Sequence, residues 1–233
     1  MRSPVHAVFA VKSLALAKSR LSDRLPSPDR PRLVLAMLSD TVAVTVATEG
    51  IASVTVVTPD PMVSERVREL GAFVHPEPPP QAAVHRLGGL NAALAAGAEA
   101  VRRLHGPVGL LALQADLPAL RPQELGELLS AATHPRSVVA DHEGSGTVAL
   151  LVRDGELNPM FGPDSARRHI GAGAVELLGE WPGLRQDVDT AADLDRACLL
   201  GVGTATATLL GEIGVSRACQ ATKQVHRSES SRC

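Results

Sequence analysis

The chain has 233 residues, 23 Lys and Arg against 25 Asp and Glu for a formal net charge of −2, 45% hydrophobic residues and 2% aromatic ones. That length makes one compact domain with at most a short appendage. The balanced charge lacks the footprint of a protein that grips nucleic acid through many phosphates, and four aromatics (Phe9, Phe73, Phe161, Trp181) give too few platforms for stacked bases.

The first apolar run, 6–11, is short, and Lys12 and Lys18 interrupt the region that follows it. No stretch of 18 apolar residues occurs, so neither a membrane span nor a secretory signal is expected and the expected placement is cytoplasmic. Further Val-, Leu- and Ala-rich runs at 53–58, 72–75, 108–113, 137–140 and 147–152 suit strands covered on both faces, as in a mostly parallel sheet. Helical segments alternate with them. Pro28 and Pro31 open one that reaches Gly50, Pro61 opens 63–70 with Gly71 as its stop, and Pro122 opens 124–132. Leu90, Leu94, Val101 and Leu104 recur on one face of another. The alternation, ending in a hairpin-like stretch, predicts an open α/β sheet with right-handed crossovers. Residues 1–210 form the expected domain and 211–233, without apolar periodicity, an expected disordered tail. The three cysteines, Cys198, Cys219 and Cys233, are odd in number and lack C-x-x-C spacing, so a reducing compartment is expected, with no disulfide framework and no zinc site.

In such sheets ligands bind beyond the carboxyl ends of the strands, which directs attention to the loops there. Residues 11–20 hold Lys12, Ser13, Lys18, Ser19 and Arg20, within a region, 1–36, of seven basic and two acidic residues. Only three of the 23 basic residues are Lys, and two lie in this loop. Lys and Arg neutralise phosphate oxygens, so an anionic ligand is the natural partner, although a solvated basic loop has the same composition. Neither G-x-x-x-x-G-K-[ST] nor G-x-G-x-x-G occurs here.

The run 108–113 leads through Gln114 and Ala115 to Asp116, at a strand's carboxyl end, where a carboxylate can hold Mg²⁺ or cap a turn. Asp187 and Asp189 stand two apart, so on extended chain they face one side together, while Asp189 or Thr190 could instead cap the helix that follows. Carboxylates for a metal combined with cations for phosphates are the equipment of phosphoryl and nucleotidyl transfer. Gly88 and Gly89 let a ligand approach the backbone beside Asn91, where nucleotide contact is expected. Gly162, Pro163, Asp164 and Ser165 precede a short helix, offering a hydroxyl and free N–H groups to a carboxylate or phosphate. Of the eight His residues, only His169 is retained as a site candidate.

These blocks, in order Ala10-Val11-Lys12, Ala17 to Ser22, Gly89 to Leu94, Asp116-Leu117-Pro118, Gly146-Thr147, Phe161 to Ser165 with Arg168-His169, and Asp187 to Thr190, resemble the 2-phospho-L-lactate guanylyltransferase family over about residues 5–205. The resemblance is nearest its actinobacterial phosphoenolpyruvate guanylyltransferase branch, which acts in coenzyme F-420 biosynthesis. It implies a Rossmann-like nucleotidyltransferase fold of the glycosyltransferase-A type, with helices on both faces of a mostly parallel sheet. The implied reaction joins GTP to a three-carbon 2-phospho acid with release of pyrophosphate. The resemblance implies Thr147, Gly162 and Ser165 for phosphoenolpyruvate and Asp116, Asp187 and Asp189 for Mg²⁺, while the residues themselves point to Lys12, Lys18, Arg20 and Asp116 for catalysis and Lys12, Ser13, Lys18, Gly89 and Asn91 for the nucleotide. The implied partners are GTP, phosphoenolpyruvate and a downstream transferase that takes the product. Many members have Gly-Thr-Asn where this chain reads Gly146-Thr147-Val148. The alternatives are the same chemistry on 2-phospho-L-lactate or 3-phosphoglycerate, and on the same fold a sugar-nucleotide or molybdopterin nucleotidyltransferase. Against the latter, Val11-Lys12-Ser13-Leu14 replaces the Gly-rich loop those enzymes commonly carry after strand one.

Overall fold

A computed structural model describes residues 4–14, 21, 24–78 and 88–215. Seven strands form one sheet in the order β3-β2-β1-β4-β6-β5-β7. They are β1 (Val5–Ala10), β2 (Ile51–Val57), β3 (Phe73–His75), β4 (Gly109–Leu113), β5 (Arg136–Ala140), β6 (Thr147–Val152) and β7 (Val175–Glu176). β6 runs antiparallel to both neighbours, and the other pairings are parallel. The expected mostly parallel sheet with helices on both faces is what the chain forms. β4 and β6 are buried along their whole lengths, which is why they read as unbroken apolar runs.

Helices α1 (Asp29–Ala47), α2 (Pro61–Glu69) and α4 (Pro122–Ala131) cover one face, over a core that includes Phe9, Leu38, Val42, Val63, Leu111 and Leu125. Helix α3 (Gly88–His105) covers the other, burying Ala93, Leu94, Ala98 and Val101 against Val8, Val57, Leu110 and Leu150. Gly97 lets it lie close, because a Cβ there would stand 2.7 Å from both Val57 and Val8. Helix α5 (Ser165–Gly171) packs on β5. Helices α6 (Pro182–Arg185), α7 (Ala191–Leu200) and α8 (Thr204–Glu212) follow, and a third core joins α7 and α8 to the side of α1. Among the described residues no helix is long and apolar enough to cross a membrane.

Two expectations are corrected. The fold does not stop at 210: α8 runs to Glu212, and Ile213 and Val215 pack on the third core, while 216–233 lie outside the described residues. Cys198, buried in that core, is disulfide-bonded rather than a free thiol.

Candidate active site

Lys12 leaves the carboxyl end of β1, and the loop behind it is fastened by one buried carboxylate. Asp60 Oδ2 accepts from the Leu14 N–H at 2.9 Å, while Oδ1 accepts from the Met62 and Val63 N–H groups at the start of α2. The Lys12 side chain lies over the first turn of α3, so a Cβ on Gly89 would meet its Nζ at 3.2 Å. An ammonium beside the positive end of an 18-residue helix is a pair of like partial charges that an anion neutralises together. Lys12 and Gly89 are thus brought together, with Ser13 next to Lys12. Lys18 and Arg20 lie outside the described residues.

Asp116 follows β4, in a turn held by the Leu117 N–H donating to Thr41 Oγ1 and by the Gly203 N–H donating to the Pro118 carbonyl. The Val188 N–H donates to the Asp116 carbonyl at 3.2 Å, and Val188 is fully buried in the third core. Asp116, Asp187 and Asp189 therefore sit on adjoining segments, with Asp187 half-buried and Asp189 exposed. Thr190, not Asp189, caps α7, and Asp193 closes the reciprocal half of that capping box. Burial pushes the Asp193 carboxyl up, but hydrogen bonds from Thr190 and the Asp189 N–H, with Arg196 beside it, hold it below the ordinary carboxylate range. Arg196 Nη2 lies 2.8 Å from His142 Nε2, and a guanidinium only donates, so Nε2 accepts. His142 Nδ1 then faces Asp187 Oδ1 at 3.9 Å.

Among the described residues no three His, Cys, Asp or Glu side chains already form a metal cage. Mg²⁺ asks for none, because it takes one or two carboxylates and completes its shell with substrate phosphates and water. An all-oxygen set of aspartates on two segments joined by a backbone hydrogen bond fits that requirement.

On the far side of β4, Thr147 opens β6. Strand pairing with β5 skips Val148, between Ala149 opposite Val139 and Thr147 opposite Ala140. This bulge turns Val148 into the first core, fully buried, and leaves Thr147 Oγ1 3.0 Å from His169 Nδ1. The residue at 148 supplies packing here, so its lost amide takes no polar group from the Thr147 neighbourhood. His169 Nε2 accepts from the Met160 N–H at 2.9 Å. Burial, with the Arg136 and Arg168 guanidinium groups nearby, lowers the His169 pKa to about 4, against one opposing hydrogen bond with the Ser165 backbone.

The loop facing this ring is held by several clamps. Arg136 donates to the carbonyls of Glu156, Leu157 and Asn158, and Arg168 donates to that of Met160. Asn91 Nδ2 donates to the Phe161 carbonyl while its Oδ1 accepts from the Phe161 N–H. Asn91 thus clamps Phe161 on both sides, a use of the amide that its glycine neighbours do not announce. Gly162 has φ +123° and a left-handed Asp164 follows, a path that a side chain at 162 would strain. Ser165 is buried, and two of the N–H groups expected there are spent: Ser165 N–H donates to the Gly162 carbonyl and Ala166 N–H to that of Ser145.

Sequence reasoning missed Asp60, His142, Asp193, Arg196 and the clamping role of Arg136. Only Asp60 and Asp193 carried a local signal, as a cap before Pro61 and as the T-x-x-D of a capping box.

Residues 5–232 match the family described as guanylyl transferase CofC like. The phosphoenolpyruvate guanylyltransferase of Nocardia farcinica (strain IFM 10152) is 63% identical over 214 residues, covering 91% of this chain and 93% of its own. That of Rhodococcus opacus (strain B4) is 54% identical over 214 residues, covering 88% and 89%. Among solved structures, a protein of Desulfovibrio desulfuricans G20 described as a nucleotide-diphospho-sugar transferase aligns with TM-score 0.60 at 14% identity, over 83% of this chain and 85% of the other. At that identity the likeness is one of fold.

Proposed function

Since this chain belongs to the family of CofC-like guanylyl transferases, we propose that it joins GTP to phosphoenolpyruvate, giving enolpyruvyl-2-diphospho-5'-guanosine and pyrophosphate. We place the reaction in coenzyme F-420 biosynthesis, in the cytoplasm, with the product passed to a downstream transferase. The observation that carries the reading is the arrangement beyond β1 and β4: Lys12 over the α3 end on one side, the aspartates tied through Val188 on the other. The 63% identical relative supports the choice of acid.

A phosphate oxygen of the acid attacks the α-phosphorus of GTP, the new P–O bond forms, and the bond to the β-phosphate bridging oxygen breaks to release pyrophosphate. The attacking oxygen is already an anion at neutral pH, so no general base is needed. The barrier is repulsion between two polyanions, which Lys12 and the α3 end reduce on the nucleotide side, joined by Lys18 and Arg20 of the same segment. Asp116, Asp187 and Asp189 would hold Mg²⁺, which supplies neutralisation of the triphosphate and polarisation of its α-phosphoryl group. Thr147, Gly162 and Ser165 would seat the acid.

Pyrophosphate release is the direct test, with Mg²⁺ and GTP in parallel with phosphoenolpyruvate, 2-phospholactate, 3-phosphoglycerate or no acid. Release with phosphoenolpyruvate alone is expected. Preference for another acid would reassign the substrate, and no release with any acid would remove the reading.

A further inference from the structure

We propose that His169 is a positioning residue for the acid: it commits the Thr147 hydroxyl to donate its hydrogen bond to the substrate, making this subsite one for an anionic oxygen acceptor. The inference rests on the reading of Thr147 as an acid-binding residue. A backbone amide can only donate, so the Met160 N–H, 2.9 Å from Nε2, requires Nε2 to carry the lone pair. The proton of a neutral ring then sits on Nδ1, which faces Thr147 Oγ1 at 3.0 Å and has the Ser165 carbonyl as a second acceptor. A ring N–H cannot accept, so the Thr147 hydroxyl cannot donate to it. His169 is the one side-chain partner of that hydroxyl among the described residues, which leaves the O–H to turn to a ligand seated against β6.

The surroundings hold the ring in this state. His169 is fully buried with Phe161 edge-on at 5.4 Å, and the Arg136 and Arg168 guanidinium groups oppose an imidazolium. The donor that fixes the tautomer is itself fixed: Arg168 holds the Met160 carbonyl, and Asn91 clamps the next residue, Phe161. A line of hydrogen bonds therefore runs from α3, whose first turn meets Lys12, to the hydroxyl of Thr147. A hydroxyl free to rotate could serve a donor or an acceptor. One that faces a ring N–H cannot donate to it, and so favours a carboxylate or phosphate oxygen.

The test uses the full chain. In ¹⁵N-histidine-labelled protein at pH 7, the His169 ring is expected to show a protonated Nδ1 and an unprotonated Nε2. The opposite tautomer would overturn the inference. In steady-state kinetics Thr147→Val should raise the KM for phosphoenolpyruvate about 10- to 100-fold with the KM for GTP unchanged, the loss of one hydrogen bond to a charged group, and Thr147→Ser should restore most of it. His169→Phe should raise the same KM, His169→Asn, which keeps a donor near the Nδ1 position, should raise it less, and Thr147→Val/His169→Phe should be no worse than either single change. Additive effects, or an unchanged acid KM in Thr147→Val, would overturn it. If His169→Phe does not fold, the Thr147 pair and the ring nitrogens still decide. Wild-type protein that turns over no 2-phospho acid would instead sink the functional reading, and the tautomer would be read independently of it.

Discussion

Asp116 and His169 illustrate two ways in which one side chain bears on this site. Asp116→Ala and Asp189→Ala should each lower kcat by roughly 10²–10³-fold, the scale of losing a preorganised electrostatic contact, while the melting temperature stays close to wild type. Pyrophosphate release and a thermal melt of the same samples check both halves. His169 acts on stability as well as on the substrate. Its pKa in the folded protein, about 4, lies below the 6.5 of an unfolded histidine. The unfolded chain therefore takes up the proton first, so this contribution is fully present above pH 6.5 and is lost as pH falls towards 4. The loss should total on the order of 3 kcal/mol, since each pKa unit is worth about 1.4 kcal/mol. Urea unfolding at pH 7 and pH 4.5 measures it, and His169→Asn should flatten the difference. The positions of the aspartates are legible in the chain because they are local: one follows a strand, two stand at a spacing of two. The partnership of Thr147 with His169 is not, because a contact across 22 residues exists only once β6 and α5 are packed. Asn91 shows the same limit, its amide reaching a backbone 70 residues away.

Helix α3 joins the two halves of the site. Its first turn lies under Lys12 at Gly89, and two residues on Asn91 holds Phe161. Gly89→Ala should therefore separate fold from function. The new Cβ meets only the far end of a flexible lysine, and alanine favours the helix by up to about 1 kcal/mol, so stability should hold or rise. Displacing Lys12 should raise the KM for GTP several-fold and leave that for the acid nearly unchanged. An equal rise in both would contradict the division of the site. Most elements follow from periodicity and from Pro and Gly punctuation, as with Pro61 at the start of α2 and Gly71 after it. β7 and α6, two and four residues long, are too short to show a period. The place of β6 between β4 and β5 was hidden too, because the order of strands is set by tertiary pairing.

At the scale of the whole molecule, α8 closes the third core from the far end of the chain, and its first turn is anchored by α1. Asp40, buried in α1, accepts from the N–H groups of Ala205 and Thr206. Asp40→Ala should cost about 1–2 kcal/mol, as for a lost helix cap, and hydrogen exchange should quicken in 204–212 before the sheet is affected. Uniform loss of protection would mean that α8 is not a separate layer of stability. The direction of β6 has a further consequence for how the enzyme can change. Because that strand runs backwards, its beginning lies at the edge where its neighbours end, and Thr147 belongs to the sheet itself. Lys12 stands outside the sheet, on a loop whose Val11 and Leu14 are buried and whose Leu14 N–H is held by Asp60. A new acid must be accommodated by residues that also hold the sheet together. Variants selected for a different acid should therefore come with lower melting temperatures and need compensating mutations elsewhere.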